Sequence, residues 1–575
     1  MVSSKELWFL RSWNRDSKRV YGLGAYAQRS SINFSLVLVN SYALSLNTLY
    51  LCYLRKPIDI NMFSNYMCVF LFFSLIYLAE CEFSKPLHPN IVLIVTDDQD
   101  SQLGGILPMK RTLDLVGKNG ATFPNSFVAS PICCPSRSSI LTGMYPHNHH
   151  TTNNSMSGGC SSLRWQVQLE PKTFAAILHR EGYKTFYAGK YLNEYGEKQA
   201  GGPSHVPEGW DVWRGLVGNS KYYNYTLSID GSPQLYDNEE YLTDVIKEMA
   251  LNFLDSTPRE QPFLMFLAPP APHAPFQPAP RHEETFPGVK ALQTPSYNIP
   301  AGKDKHWIMQ MPPSPLPNDA LLKLDDVYRR RWQTLLAVDE MIEEVVQSLD
   351  EAKLLDNTYI IVTSDNGFHM GQFSQAYDKR QPYDTDIRVP FLIRGPGILE
   401  GGSPPYPIMN IDLAPTILQL AGLKPPADMD GVPIKIFSNP ELQQYSMLET
   451  NDVNFDEPYD RRMLVEYSGE GSEGSTDCPW GEDKNLFMCQ PDYYCKCQDA
   501  KNNTYSCVRN FLPEMDFIYC SFNDTKETEE AYHIYDDPFQ LKNVINDLMP
   551  AFKYKYRSIL EKLRNCKGES CNFDF

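Results

Sequence analysis

The sequence has no low-complexity tract and no short-period repeat, which excludes solenoids and disordered scaffolds. It has no surplus of positive charge either. Lys and Arg total 52 against 70 Asp and Glu, a net charge of −18, so a broad field that gathers nucleic acid is excluded. An anionic substrate must be captured by a local pocket against that field. The uninterrupted apolar run Met67 to Ala79 falls short of the roughly twenty residues of a membrane-spanning helix and has the length of a signal-peptide core. The close pair Cys495-Lys496-Cys497 is tighter than the usual Cys-x2–4-Cys zinc knuckle.

What is present is ordinary globular composition, 42% hydrophobic and 21% charged over 575 residues, enough for two or more domains. Of fourteen cysteines, six lie between Cys478 and Cys520, followed by Cys566 and Cys571. That clustering reads as a disulfide framework made in an oxidising compartment, with zinc as the alternative. Sequons at Asn153, Asn224, Asn502 and Asn523 point the same way as glycosylation sites of a secretory-pathway protein. Residues 1–84 read as a leader. A signal cleaved near Ala79-Glu80-Cys81 is the expectation, with a retained membrane anchor or initiation at Met62 or Met67 as alternatives.

From Pro89 the pattern becomes regular. Asn90 to Thr96 and Tyr359 to Ser364 are β-branched runs of the kind buried on both faces of a sheet. They stop abruptly at Asp97-Asp98 and Asp365-Asn366. A third run, Phe263 to Ala268, leads into a proline-rich loop carrying His273. Between them, Leu335, Val338, Ile342, Val345 and Leu349 form a stripe of helical period. Helices over Glu170 to Arg180 and Asp412 to Leu420 are stopped by Gly182 and Gly422. Strands alternating with helices predict an α/β fold, a large mostly parallel sheet with helices on both faces, whose ligands bind beyond the carboxyl ends of the strands. The division expected is a catalytic domain over 85–425 and a smaller cysteine-rich domain with an antiparallel sheet over 426–575.

Two aspartates adjacent at a buried strand end repel each other, and burial penalises both charges. A hard cation relieves this, and the oxygen donors Asp97, Asp98, Asp365 and Asn366 suit calcium first and magnesium second. The plain alternative is that each pair caps a turn. In the run Cys133 to Gly143, Pro135 and Ser136 are helix-start residues, which puts Cys133 at a helix N-terminus where amides and dipole favour an anion. Arg137 adds a fixed cation. The plain alternatives are a Cys133–Cys134 pair or a buried structural thiol.

Cys133, Pro135, Ser136, Arg137, Leu141, Thr142 and Gly143 together resemble the signature of the type I sulfatase family. That resemblance covers about Pro89 to the C-terminus and implies the alkaline-phosphatase-like sulfatase fold. It also implies oxidation of Cys133 to formylglycine (3-oxoalanine) by the formylglycine-generating enzyme. Asp97, Asp98, Asp365 and Asn366 then match the ligands of one calcium ion, completed by the modified Cys133. Lys190 of Gly189-Lys190 and Lys379 match sulfate-binding lysines, and His273 matches a histidine near the leaving oxygen. Where many members carry a histidine two residues after the first lysine, this chain has Leu192. Asn193, His147, His149 and His369 are candidates to fill that space.

The runs Tyr145 to His150, Gly189 to Tyr195 and Asn219 to Tyr225 resemble the N-acetylglucosamine-6-sulfatase branch of that family, and no basic insertion like that of the extracellular endosulfatases is present. The resemblance implies an exo-acting lysosomal or secreted enzyme on heparan or keratan sulfate, with His147, His149, His150, Asn193 and His369 lining the sugar subsite. It implies no nucleic-acid partner and membrane attachment only through an uncleaved leader. Three alternatives stand beside it: an extracellular heparan sulfate 6-O-endosulfatase-like enzyme, a phosphodiesterase-like relative with a Ser or Thr nucleophile and two zinc ions, and a glycan-binding relative in which Cys133 stays a thiol.

Overall fold

The computed structural model describes residues 88–436, 461–471, 486–512 and 515–573, all within one compact unit, His88–Phe575. The leader expectation and Cys478 lie outside the described residues. Among the described residues no helix is long and apolar enough to cross a membrane.

Nine strands form the main sheet: Asn90–Thr96 (β1), Ala121–Thr122 (β2), Lys184–Lys190 (β3), Val212–Leu216 (β4), Tyr225–Ile229 (β5), Ser232–Tyr236 (β6), Phe263–Ala268 (β7), Thr358–Ser364 (β8) and Phe391–Arg394 (β9). Their order is β2-β9-β8-β1-β7-β3-β4-β5-β6. The central five, β8 to β4, run parallel, and the outer pairings are antiparallel. Every residue of β1 is buried, as an Ile and Val run between two neighbouring strands requires.

Alternation then sends successive residues of β1 to opposite layers. Ile91, Leu93 and Val95 pack with Phe174–Arg180 (α2) and Leu413–Leu420 (α5). Val92 and Ile94 pack with Leu242–Ser256 (α3) and Asn318–Glu351 (α4), whose predicted stripe Leu335, Val338, Ile342, Val345 and Leu349 is buried throughout. Gly182 and Gly422 follow α2 and α5 with φ of +90° and +76°, the left-handed geometry that ends a helix cheaply at glycine.

Downstream, Arg461–Tyr467 (β10), Tyr505–Leu512 (β11), Met515–Phe522 (β12) and Glu529–His533 (β13) form an antiparallel meander. Pro550–Arg564 (α6) presses Tyr556, Ile559, Leu560 and Leu563 onto it. Disulfides join Cys489 to Cys495, Cys507 to Cys520 and Cys566 to Cys571, and Cys497 is disulfide-bonded as well. Cys495 and Cys497 are therefore not thiolates of a zinc knuckle. Val465, Cys507 and Tyr519 share one core with Val128, Ile132 and Tyr145, so the small sheet braces the segment that leads into the helix Cys133–Thr142 (α1).

Candidate active site

Parallel pairing sets strand ends side by side. Thr96 of β1 is in register with Ser364 of β8, so Asp97-Asp98 and Asp365-Asn366 emerge next to each other. β3 ends on Lys190, and β7 runs into the loop bearing His273. Cys133 is the first residue of α1, preceded by extended Ile132. Successive side chains of an extended strand point to opposite faces. Asp98 breaks that alternation with φ +67°, and both aspartates reach the same point.

All of these groups except His273 are buried. Lys190 Nζ lies 2.7 and 3.0 Å from the Asp97 oxygens, and Lys379 Nζ lies 2.5 and 2.7 Å from those of Asp98. Arg137 donates from Nε to Asp365 Oδ2 at 2.8 Å and from Nη1 to the Lys190 carbonyl at 2.8 Å. Asp365 Oδ1 accepts the backbone amides of Asp98 and Asn366 at 2.9 and 2.8 Å. Asn366 Nδ2 donates to Asp98 Oδ1 at 2.8 Å. The Cys133 sulfur stands 3.8 Å from Asp97 Oδ1 and 4.0 Å from Asp98 Oδ1. His273 Nε2 is 3.8 Å from Asp98 Oδ2, while its Nδ1 meets the Ala274 carbonyl at 2.6 Å.

Three carboxylates thus face three cations, and the cluster is neutral. Burial is the largest influence on Asp97 and Asp98 and would raise both, but the surrounding positive groups, led by Lys190 at Asp97 and by Lys379 at Asp98, together outweigh it and hold both below the usual carboxylate range. Burial dominates at Asp365, pushed up to about 6, and at the Cys133 thiol, pushed up to about 11. A thiol held that high is not a thiolate nucleophile near neutral pH. Cys134 forms a disulfide with Cys160, leaving Cys133 the free cysteine among the described residues. The Cys133–Cys134 alternative is thereby removed.

The donor set can hold a metal ion. Ligand atoms of Asp97, Asp98, Cys133 and His273 lie within 4.8 Å of one another, and Asn366 Oδ1 is buried without a hydrogen-bond partner. An unmatched buried acceptor costs about 1–3 kcal/mol, which a cation at that point would remove. Asp365 is outside that tight group, its oxygens engaged by Arg137 and two amides.

Other residues expected to line the site fare unevenly. His147 is held at Nδ1 by Glu466 (2.7 Å) and at Nε2 by the Cys566 carbonyl (2.9 Å). His149 is fully buried, with Ser139 Oγ at 3.1 Å from Nε2 and the Thr151 amide at 3.0 Å from Nδ1, and burial pushes it down to about 3. Both ring nitrogens of each histidine are thus engaged within the protein. His150 is exposed and left-handed at φ +57°. His369 Nδ1 sits 3.0 Å from both Asp386 oxygens; burial works against its charged form, but the charge and hydrogen bond of Asp386 outweigh it and raise its basicity. Asn193 is buried, donates to Asn219 Oδ1 at 3.2 Å and leaves its own Oδ1 unpartnered. Leu192 is buried in the aromatic core with Tyr187, Tyr191 and Trp213, so position 192 offers the site nothing. Of the sequons, Asn224 and Asn523 are exposed and Asn153 and Asn502 are half-buried.

Ser220 was missed. Its hydroxyl donates to Asp97 Oδ2, opposite Lys190. It follows β4 in the run Asn219 to Tyr225, where nothing local marks a lone serine, and only the sheet order brings it to Asp97.

A family model described as Sulfatase matches residues 89–423. The chain is 46% identical over 492 residues to the N-acetylglucosamine-6-sulfatase of Homo sapiens, covering 84% of this chain and 86% of that relative. An extracellular sulfatase homologue of Drosophila melanogaster is 42% identical over 352 residues, which cover 60% of this chain but 31% of that relative. Among solved structures, one in complex with its substrate D-glucosamine-2-N,6-O-disulfate superimposes with a TM-score of 0.62 at 22% identity, covering 83% of this chain and 97% of that one. At that identity the likeness concerns the fold.

Proposed function

The chain belongs to the sulfatase family, and from that premise we propose that it removes the 6-O-sulfate of N-acetylglucosamine 6-sulfate from the ends of heparan or keratan sulfate chains. The observation that carries the chemistry is the buried Cys133 thiol ringed by two lysines, an arginine and an aspartate pair. The substrate class rests on the match along nearly the whole N-acetylglucosamine-6-sulfatase, against a partial match to an extracellular sulfatase.

In this reading one calcium ion is held by Asp97, Asp98, Asp365, Asn366 and residue 133. When bound it supplies a fixed double positive charge beside the reacting sulfur. Cys133, oxidised to formylglycine by the formylglycine-generating enzyme in the endoplasmic reticulum and then hydrated, supplies the attacking oxygen. Lys190 and Lys379, relieved of neutralising Asp97 and Asp98, turn their ammonium groups to the sulfate oxygens. Arg137 stays on Asp365 and keeps α1 aimed at the strand ends. His273, whose Nδ1 faces the Ala274 carbonyl and whose charged form burial disfavours, takes up its second proton beside the anionic substrate. As imidazolium it gives the Nε2 proton to the departing sugar oxygen and, as the imidazole left behind, takes the proton whose loss releases sulfate. That double use replaces the histidine missing at Leu192, since among the described residues His273 is the histidine in the tight group with the acid pair.

The rivals are less well supported. A two-zinc enzyme needs a second His/Asp set, and among the described residues one such group is present. The disulfides and the family membership support a secretory-pathway protein. The lysosome is the compartment we assign it, with 85–425 as catalytic domain, 426–575 as its brace and glycans on Asn153, Asn224, Asn502 and Asn523.

Peptide mass spectrometry across residue 133, on protein made through a secretory pathway, tests the reading. A mass loss consistent with thiol becoming aldehyde, with sulfate release from N-acetylglucosamine 6-sulfate, is expected. An intact thiol, in cells that convert a control sulfatase, refutes the mechanism and favours a glycan-binding protein. Release from the interior of a heparan oligosaccharide would instead favour the endosulfatase alternative.

A further inference from the structure

Left-handed backbone costs a residue other than glycine about 1 kcal/mol or more, so Asp98 at φ +67° must be held there by its surroundings. Arg331 on α4 does the holding. It lies on the buried face of that helix with Leu324, Tyr328 and Leu335 and is 2% exposed. Its Nη2 donates to the Asp98 carbonyl at 2.7 Å and to Asp100 Oδ1 at 3.0 Å. Its Nη1 reaches the Pro272 carbonyl, one residue before His273, at 3.3 Å. The guanidinium lies 4.1 Å over the ring of Phe368, two residues after Asn366. A backbone bond from the Asp97 amide to the Ala271 carbonyl at 2.9 Å ties the same two loops together.

One planar fork therefore spans the kink that converges the two aspartates and the loop that carries the histidine. We propose that Arg331 is a positioning residue of this enzyme, which sets the Asp97–Asp98 pair and the His273 loop at one fixed separation. The cation site and the proton donor for the leaving oxygen are registered to each other through it. A lysine's compact ammonium lacks the planar fork that meets the two carbonyls from two separate nitrogens at a fixed spacing. The inference rests on the roles proposed above for Asp97, Asp98 and His273.

The test compares full-length Arg331→Met, Arg331→Lys and Phe368→Leu with wild type and with a control on the same helix, Glu344→Gln, a partly exposed residue paired with the half-buried Lys247. Calcium is titrated into chelator-stripped protein and followed by thermal unfolding. Wild type and control are expected to share a midpoint, with Arg331→Met needing about tenfold more calcium and Arg331→Lys falling between. An unchanged midpoint in Arg331→Met, even at a lower unfolding temperature, would overturn the proposal, because a purely structural arginine shifts stability without shifting cation affinity. Should Arg331→Met fail to fold, the midpoints of Arg331→Lys and Phe368→Leu decide in the same way. If wild type shows no calcium response, the cation reading itself fails. The positioning role is then judged on leaving groups, where a loss on the sugar sulfate about tenfold beyond that on an aryl sulfate sustains it and equal losses refute it.

Discussion

Replacing Lys379 by methionine tests the electrostatics of the site most directly. The side chain keeps its length and loses its charge, so Asp98 is left with Asn366 Nδ2 at 2.8 Å and His273 at 3.8 Å. Lys379 and Asp98 are both buried, and removing one partner of such a pair costs about 3–5 kcal/mol because the other charge stays buried and unmatched. Unfolding entropy near 2.1 cal/mol/K per residue, over a unit of roughly 490 residues, makes that a fall of about 3–5 °C in Tm. The fall is expected in chelator. Saturating calcium should restore most of it, since a divalent ion offers Asp98 the charge that the lysine no longer does. The calcium-induced rise should also exceed that of wild type, whose lysine competes with the ion for the same carboxylate. Activity stays low in both conditions, as the sulfate has lost a contact. Differential scanning fluorimetry with and without calcium reads the stabilities, and an equal Tm loss in both conditions would show that no cation meets Asp98.

Four further outcomes are expected. His273→Ala should lower kcat on N-acetylglucosamine 6-sulfate by about 10^2 to 10^4 and an aryl sulfate far less, because a good leaving group needs no proton; parallel losses would place the acid elsewhere. Asn193→Ala should raise KM on the sugar substrate about fivefold, the worth of one hydrogen bond, and leave an aryl sulfate unchanged. His149→Ala should lower Tm and both activities alike, since its nitrogens serve Ser139 and Thr151. Cys160→Ser opens the Cys134–Cys160 loop, a separation of 26 residues, and should cost about 3–4 kcal/mol, read as a Tm fall of similar size in °C under non-reducing conditions.

The last prediction concerns pH. Asp499 is fully buried beside Arg380 and bonded to Tyr467, Asn503 and the Glu470 amide, yet burial pushes its carboxyl up to about 7. A carboxyl raised in the folded state contributes stability that is complete below its unfolded pKa near 4 and is lost as pH rises to about 7. The contribution is on the order of 4 kcal/mol, and Asp499→Asn should flatten the slope of stability between pH 4 and 7. An unaltered slope in urea unfolding would assign the acid preference to other groups.

The order of residues by itself determined the strands and their ends. Asn90–Thr96 and Thr358–Ser364 are too apolar to be anything but central strands, and their polar ends then had to lie at the carboxyl edge, where Asp97, Asp98, Asp365 and Asn366 are found. The start of α1 at Cys133 was equally local, set by Pro135 and Ser136 in its first turn. Tertiary structure alone decided the partners. Cys134 could have bonded many cysteines, and only packing brought Cys160 to it and left Cys133 free. His147 and His149 looked like site residues because they follow the motif closely, but their ring nitrogens are taken by groups as distant as Glu466 and Cys566 or as near as Ser139 and Thr151. Ser220 and Arg331 carry no local mark, since a lone serine or one arginine among three in a row is ordinary. Sheet order places the first on Asp97, and the buried face of α4 places the second on the Asp98 carbonyl. Short-range periodicity fixes which elements form and where they stop, whereas contacts between residues hundreds of positions apart depend on how the layers close on each other.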